Sequence, residues 1–183
     1  IMTNAGEVSV SGTANKIAYI TPAMGGLQAG YSIADAGVNT ASNDTTEVGL
    51  SYSMPMDGGS LLFEYNQVKR DSTAAIEEIQ ASNYGVTVTM GALSMIASSG
   101  SFEEASQGST ALTEDIEATG FAIKYDMGGG MTVAASVMES EDSAFADVAA
   151  ATGAKEKYSS NIGEISYSIA PGLTANLTYN DFD

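Results

Sequence analysis

Hydrophobic and polar residues alternate singly along most of this chain. From Glu47 to Met54, Val48, Leu50, Tyr52 and Met54 share one parity, while Glu47, Gly49, Ser51 and Ser53 share the other. The stretch from Tyr84 repeats the arrangement, with Tyr84, Val86, Val88 and Met90 against Gly85, Thr87 and Thr89. Towards the end, Leu173, Ala175, Leu177 and Tyr179 oppose Thr174, Asn176, Thr178 and Asn180. A period of two belongs to a β-strand with unlike faces, here one apolar and one small and polar.

Glycine and proline punctuate this alternation at five places. They are "TPAMGGL" at 21–27, "MPMDGGS" at 54–60, "TMGAL" at 89–93, "DMGGGM" at 126–131 and "IAPGLT" at 169–174. Such residues set the backbone for tight hairpins, and each is flanked by roughly nine or ten alternating residues. The pattern predicts ten strands in five hairpins over residues 13–183, within one domain spanning 1–183. Between hairpins, residues 36–45, 70–80, 103–116 and 140–157 are rich in Ala, Ser, Thr, Asp and Glu and read as long acidic loops. Within them, "DSTAAIEEIQ" and "SAFADVAAATGA" each have room for a short helix.

A soluble sandwich alternates too, so further features must decide between sandwich and membrane barrel. Strands of about nine to eleven residues match the length that crosses a bilayer at a tilt, whereas soluble strands average about five or six. Tyrosines recur on the apolar parity: Tyr19, Tyr52, Tyr125 and Tyr167 shortly before their turns, Tyr31, Tyr65 and Tyr179 on the outgoing strands. Two such rows suit the interfacial girdles of a membrane barrel. A long meander also has exposed edges, which closure removes. The expected fold is all-β, a transmembrane antiparallel up-and-down β-barrel.

Composition narrows the chemistry. The 183 residues contain no His, Cys or Trp, which removes disulfides, thiolate nucleophiles and the usual neutral-pH base. A Ser–His arrangement is therefore impossible, no carboxylate pair converges on a predicted pocket, and no enzyme is expected. The net charge of −17 leaves no basic patch for nucleic acid. Apolar runs are too short for a membrane-spanning helix, and no signal peptide is visible. The opening "IMTNAGEVSV" lacks an initiator methionine, which points to a partial sequence.

"NKIAYITPAMGGLQAGYSI" (15–33) resembles the segment that follows the inward-folded loop of Gram-negative general porins, and "YDMGGGMTVAASV" (125–137) is similar to a hairpin of alphaproteobacterial porins. The resemblance implies a homotrimer of barrels, each of about sixteen strands, in the bacterial outer membrane. Each barrel would be a water-filled channel for passive diffusion of ions and small hydrophilic solutes. The ten strands here would then be the middle and later part, with residues 1–12 the tail of the constriction loop. Outer-membrane lipid and lipopolysaccharide are the implied surroundings.

Parity assigns Lys16, Gln28, Glu47, Glu64, Asn66, Thr87, Lys124, Asp126, Glu164, Asn176 and Asn180 to the polar face and hence to the pore lining. Acids outnumber bases among them, so weak cation selectivity is expected. Lys124 and Asp126, two apart, are expected to be neighbours. The acidic pairs Glu77–Glu78, Glu103–Glu104, Glu114–Asp115 and Glu141–Asp142 supply hard oxygen ligands suited to Ca²⁺ or Mg²⁺. The alternative is solvated loop charge. The competing function is a soluble or surface-layer adhesin-like β protein with acidic calcium-binding loops.

Overall fold

A computed structural model describes residues 15–35, 45–70, 78–105, 112–143 and 155–183. They form ten strands: β1 (Asn15–Ile20), β2 (Leu27–Asp35), β3 (Thr45–Met56), β4 (Gly59–Arg70), β5 (Glu78–Met90), β6 (Leu93–Ala105), β7 (Leu112–Gly128), β8 (Met131–Asp142), β9 (Glu156–Ala170) and β10 (Leu173–Phe182). All ten join one sheet in chain order, with β1 and β10 at its edges. Every neighbouring pair is antiparallel, so the meander expected from the five turns is the observed topology. The described residues contain no helix; residues 1–12 and most of both short helical candidates lie outside them.

The turns are built by their glycines. Gly128, Gly129 and Gly130 all have positive φ (76°, 62° and 83°), a region that side chains with a Cβ enter at a cost. Asp126 Oδ1 accepts the Gly128 N–H at 2.9 Å and fixes the bulge at which β7 leaves its register with β8. That is why a glycine triplet interrupts an alternating stretch. Nothing lies within 4 Å of a Cβ added at Gly129, so Gly129→Ala meets backbone strain alone. It should destabilise the folded protein by about 1–2 kcal/mol, read from urea titration in lipid vesicles.

Successive hairpins are laced together at the turn end. Gly26 O accepts the Ser53 N–H at 2.8 Å, Gly58 O the Gly91 N–H at 3.0 Å, Ala92 O the Asp126 N–H at 2.9 Å, and Gly130 O the Ser168 N–H at 2.9 Å. These bonds satisfy turn carbonyls that would otherwise lack a backbone partner.

At the opposite end the strands run further than the alternation indicated. β7 has 17 residues and β9 has 15, against the nine to eleven expected. Arg70, Glu78, Glu103, Glu104, Glu114, Asp115, Glu141 and Asp142, read from sequence as loop residues, all lie within strands. The physical reason is that backbone pairing continues after the apolar face has ended. There the tyrosine side turns polar while Val68, Ile79, Ala81, Phe102 and Ile116 fall on the opposite face, so the alternation changes phase although the strands persist.

The single sheet has no conventional core. No large side chain is fully buried among the described residues, and Tyr19, Leu177, Tyr179 and Ile169 are each more than half exposed. Most of the buried residues gather on neighbouring strands near the long-connection end: Ser32 and Ala34 on β2, Thr45 on β3, Val68 on β4, Ile79 and Ala81 on β5 and Ala105 on β6, with Ser160 apart from them on β9.

Candidate functional site: two faces of one sheet

Register sorts the side chains into two sets. Cross-strand partners in an antiparallel sheet share a face, so chains of partners trace rows across it. Leu27 faces Tyr52, Tyr52 faces Phe63 and Phe63 faces Val86; Val86 then faces Ala97, and Ala97 faces Phe121. Every member is apolar. One residue along, Gln28 faces Ser51, Ser51 faces Glu64, Glu64 faces Gly85 and Gly85 faces Ser98. This row of the opposite surface is small and polar, although Leu62, Val68 and Ile96 share that surface.

On the apolar face, three or four alternating positions follow each turn before polar residues take over. In β8 these are Met131, Val133, Ala135 and Val137, followed by Glu139. Seven residues cover roughly 23 Å along a strand, which matches the apolar band of about 25 Å on membrane barrels. Tyr65, Tyr84 and Tyr179 each occupy the last apolar position, before Gln67, Ser82 and Asp181 respectively. Tyr84 was absent from the tyrosines singled out by sequence, yet it lies directly opposite Tyr65. Tyr52, Tyr125 and Tyr167 sit nearer the turns. Tyr19 and Tyr31 are cross-strand partners, so they share one level and do not mark two rows. The β1–β2 connection causes this. Gly25 and Gly26 make a tight turn between Met24 and Leu27, and residues 21–23 add an extra step that parity along the chain cannot register.

All eleven residues assigned to the polar face lie on it. Lys16 and Glu47 come from β1 and β3, and Lys16 Nζ donates to Glu47 Oε2, which also accepts Ser32 Oγ–H at 2.8 Å. Asn66 Nδ2 donates to Asn83 Oδ1 at 3.3 Å, and Gln28 Nε2 to Thr21 O at 3.2 Å. Glu64 and Thr87 occupy neighbouring positions on β4 and β5. Glu164 on β9 faces Thr178, Asn176 faces Ser166 and Asn180 faces Ile162. Lys124 faces Ala134 and Asp126 faces Thr132; the two form no ion pair, since Asp126 turns to its own turn glycine. Ser32, Asn83, Gly30 and Gly49 belong to the same wall and were not singled out from sequence. Their roles arise from cross-strand register, which residues 15 to 31 apart do not reveal.

The acidic pairs are split by the strands that carry them. Glu103 faces Asp115 on the side of the tyrosines, whereas Glu104 faces Glu114 on the polar side. Adjacent carboxylates therefore point to opposite faces. Glu77 lies outside the described residues, and Glu78 begins β5. No group of three or more Asp or Glu side chains converges in a metal-holding arrangement among the described residues. Beyond the apolar band, Lys155 and Lys157 (3.0 Å for the latter) both donate to Glu141. These hydrogen bonds hold the Glu141 carboxyl below its ordinary range, and the bond to Glu141 raises the Lys155 ammonium. Asp142 Oδ1 accepts the Asp115 N–H at 3.0 Å, tying β7 to β8 beside them.

The fold has counterparts among solved structures. The fold resembles Acinetobacter baumannii OccAB4 (TM-score 0.67, 15% identity, covering 92% of this chain and 48% of that one). It also resembles Pseudomonas aeruginosa OccK5 (TM-score 0.66, 15% identity, 92% and 52%) and a loop-deletion mutant of Vibrio cholerae OmpT, an outer membrane protein (TM-score 0.62, 14% identity, 95% and 61%). The chain thus spans about half the length of the first two solved structures. No curated protein matches the sequence. A family model described as Gram-negative porin matches residues 2–183. The inverted arrangement of apolar and polar faces agrees with that match, and the chain belongs to the Gram-negative porin family of the bacterial outer membrane.

Proposed function

We propose that the polar face lines a water-filled channel through which ions and small hydrophilic solutes diffuse passively. The observation that carries this reading is the pairing of an exposed apolar band of bilayer height with a predominantly polar opposite face on the same sheet. A soluble sheet would cover that band; a lipid-facing one leaves it exposed. The edges of β1 and β10 carry backbone groups that must be paired in hydrocarbon. Further strands joined to those edges, to a total of about sixteen, would close the barrel. The tyrosines at the ends of the apolar band act as its interfacial girdle, and the intact barrels assemble as trimers of the alphaproteobacterial type. No step in this function makes or breaks a bond.

Selectivity follows from wall charge. Glu47, Glu64, Asp126 and Glu164 stand against Lys16 and Lys124 on the polar face, which favours cations. Planar-bilayer recording of the intact protein across a salt gradient tests both parts. Large ohmic steps with a reversal potential of cation sign are expected. Folded protein that gives no steps and dissolves in plain buffer would favour the adhesin-like alternative.

A further inference from the structure

Of the nine tyrosines in the chain, Tyr158 alone lies on the polar face, opposite Ser140 in the β8–β9 ladder. It has an aromatic companion there. Phe182 on β10 stacks against it, with ring centroids 6.1 Å apart and planes 24° from parallel. Ser160, two residues along β9 and facing Phe182, is buried, whereas the two rings are 40% and 58% exposed. The stacking ties β9 to β10, yet it leaves aromatic surface turned to the same side as the polar wall.

Register extends the feature across three more strands. Gly100 faces Ala118, Ala118 faces Ser140 and Ser140 faces Tyr158, so a floor of short side chains leads over β6, β7 and β8 to the ring. One level towards the long connections, Phe102 faces Ile116, and that row continues through Asp142 to Glu156. Large apolar side chains and then carboxylates therefore stand along one side of the floor, with Tyr158 at its end. A flat apolar ring has room there, against Phe102 and Ile116 and beside Tyr158.

The charge around this floor is negative. Glu156 is the next residue to Tyr158 on the same face of β9, and Glu114 stands one level beyond Ile116 on β7. Both are exposed, and neither forms an ion pair among the described residues. The chain has only six Lys and Arg residues, and none of them lies beside the floor. Lys155 and Lys157 both donate to Glu141 on the other face, and Lys69 occupies that other face opposite Thr46. Lys16 and Arg70 lie on β1 and β4; the nearer, Arg70, is three strands from Glu114 and five from Glu156. Lys124 shares the face but lies six residues along β7 from Ala118, roughly 20 Å away.

We infer that this part of the wall is a binding station for small aryl-alkyl ammonium solutes, in which an ammonium sits a short chain away from a flat apolar ring. Alternate residues on a strand are about 7 Å apart, so an ammonium held at Glu156 keeps its ring beside Tyr158. The carboxylate accepts charge-assisted hydrogen bonds, and the exposed aromatic surface offers stacking to the ring and its negative face to the cation. Solutes of this class pause here during passage. This inference rests on the polar face lining a channel.

The test is current blockade of the intact protein in planar bilayers by 2-phenylethylammonium. Ethylammonium serves as a cation without the ring, and phenylacetate as the same ring carrying an anion. Phenylethylammonium should interrupt the open current at concentrations at which neither comparator does. Tyr158→Leu keeps an apolar side chain without the ring, and Glu156→Gln keeps the shape without the charge. Each should weaken the blockade about three- to fivefold, while Glu139→Gln, on the other face, should leave it unchanged. Blockade of the unsubstituted protein by either comparator as strong as by phenylethylammonium would overturn the station. Equal blockade in all variants that open channels would overturn it too. Absence of conductance steps from every form would overturn the channel reading itself, and the station with it.

Discussion

Placing an arginine at Val86 should lower the folding equilibrium constant of the intact protein in lipid vesicles by about two orders of magnitude, whereas an arginine at Thr87 should barely change it. Val86 sits on the apolar face of a central strand, between Phe63 on β4 and Ala97 on β6. Its neighbours along β5 on that face are Tyr84 and Val88, so it lies inside the band. A cationic side chain near the middle of such a band costs about 2–4 kcal/mol, and each 1.4 kcal/mol is a factor of ten. Thr87 is one residue away and faces Leu62 and Ile96 on the opposite surface. If that surface is wet, a long cation there reaches water and costs little. Urea titration in vesicles, with the folded barrel scored on unheated gels, measures the difference. Equal loss from both substitutions would mean that the two surfaces are not lipid and water.

Gly26→Ala should be far more damaging than Gly129→Ala. Gly26 has φ 86°, and a Cβ there would stand 2.0 Å from the backbone carbonyl oxygen of Ser53. No side-chain rotation relieves a clash with backbone. The turn must retreat, and with it goes the hydrogen bond from Ser53 N–H to Gly26 O that ties the first hairpin to β3. The strain of a left-handed alanine alone is about 1–2 kcal/mol, and the lost hydrogen bond adds about 1 kcal/mol before any displacement of β2. Urea titration in vesicles should therefore place Gly26→Ala well below Gly129→Ala, whose Cβ meets open space. Similar stabilities for the two would show that the lacing of adjacent turns contributes nothing.

Much of this architecture is written locally in the chain. All five hairpin turns fall where Gly and Pro interrupt the alternation, because positive φ and tight reversal depend on nearby residues. The alternation also sorts Lys16, Glu47, Lys124 and Asn176 onto one surface, since parity is preserved through a paired strand. What escaped the sequence has two physical origins. Beyond the apolar band the tyrosine side turns acidic and the remaining apolar residues, such as Phe102 and Ile116, shift to the other face, so the strands carrying Glu103, Glu114 and Glu141 look like acidic loops although their backbones remain paired. Relations between strands are the other origin. The contact of Lys16 with Glu47 spans 31 residues, and the facing glycines at 30 and 49 acquire meaning only from register. Likewise Tyr19 and Tyr31 share a level because of the extra step in the first connection, which no count of residues from the turn discloses.

The central claim is that one face of the sheet meets lipid and the other meets water. These 183 residues contain no cysteine, and in an intact protein made cysteine-free elsewhere, single cysteines placed in turn along β3 at residues 47–54 report on it. In the intact protein reconstituted into vesicles, a small membrane-impermeant thiol reagent should label positions 47, 49, 51 and 53. A probe attached at 48, 50, 52 and 54 should be quenched from within the bilayer. Such a period-two exchange of the two signals is the predicted result; uniform labelling of all eight positions, with no quenching by lipid, would contradict it.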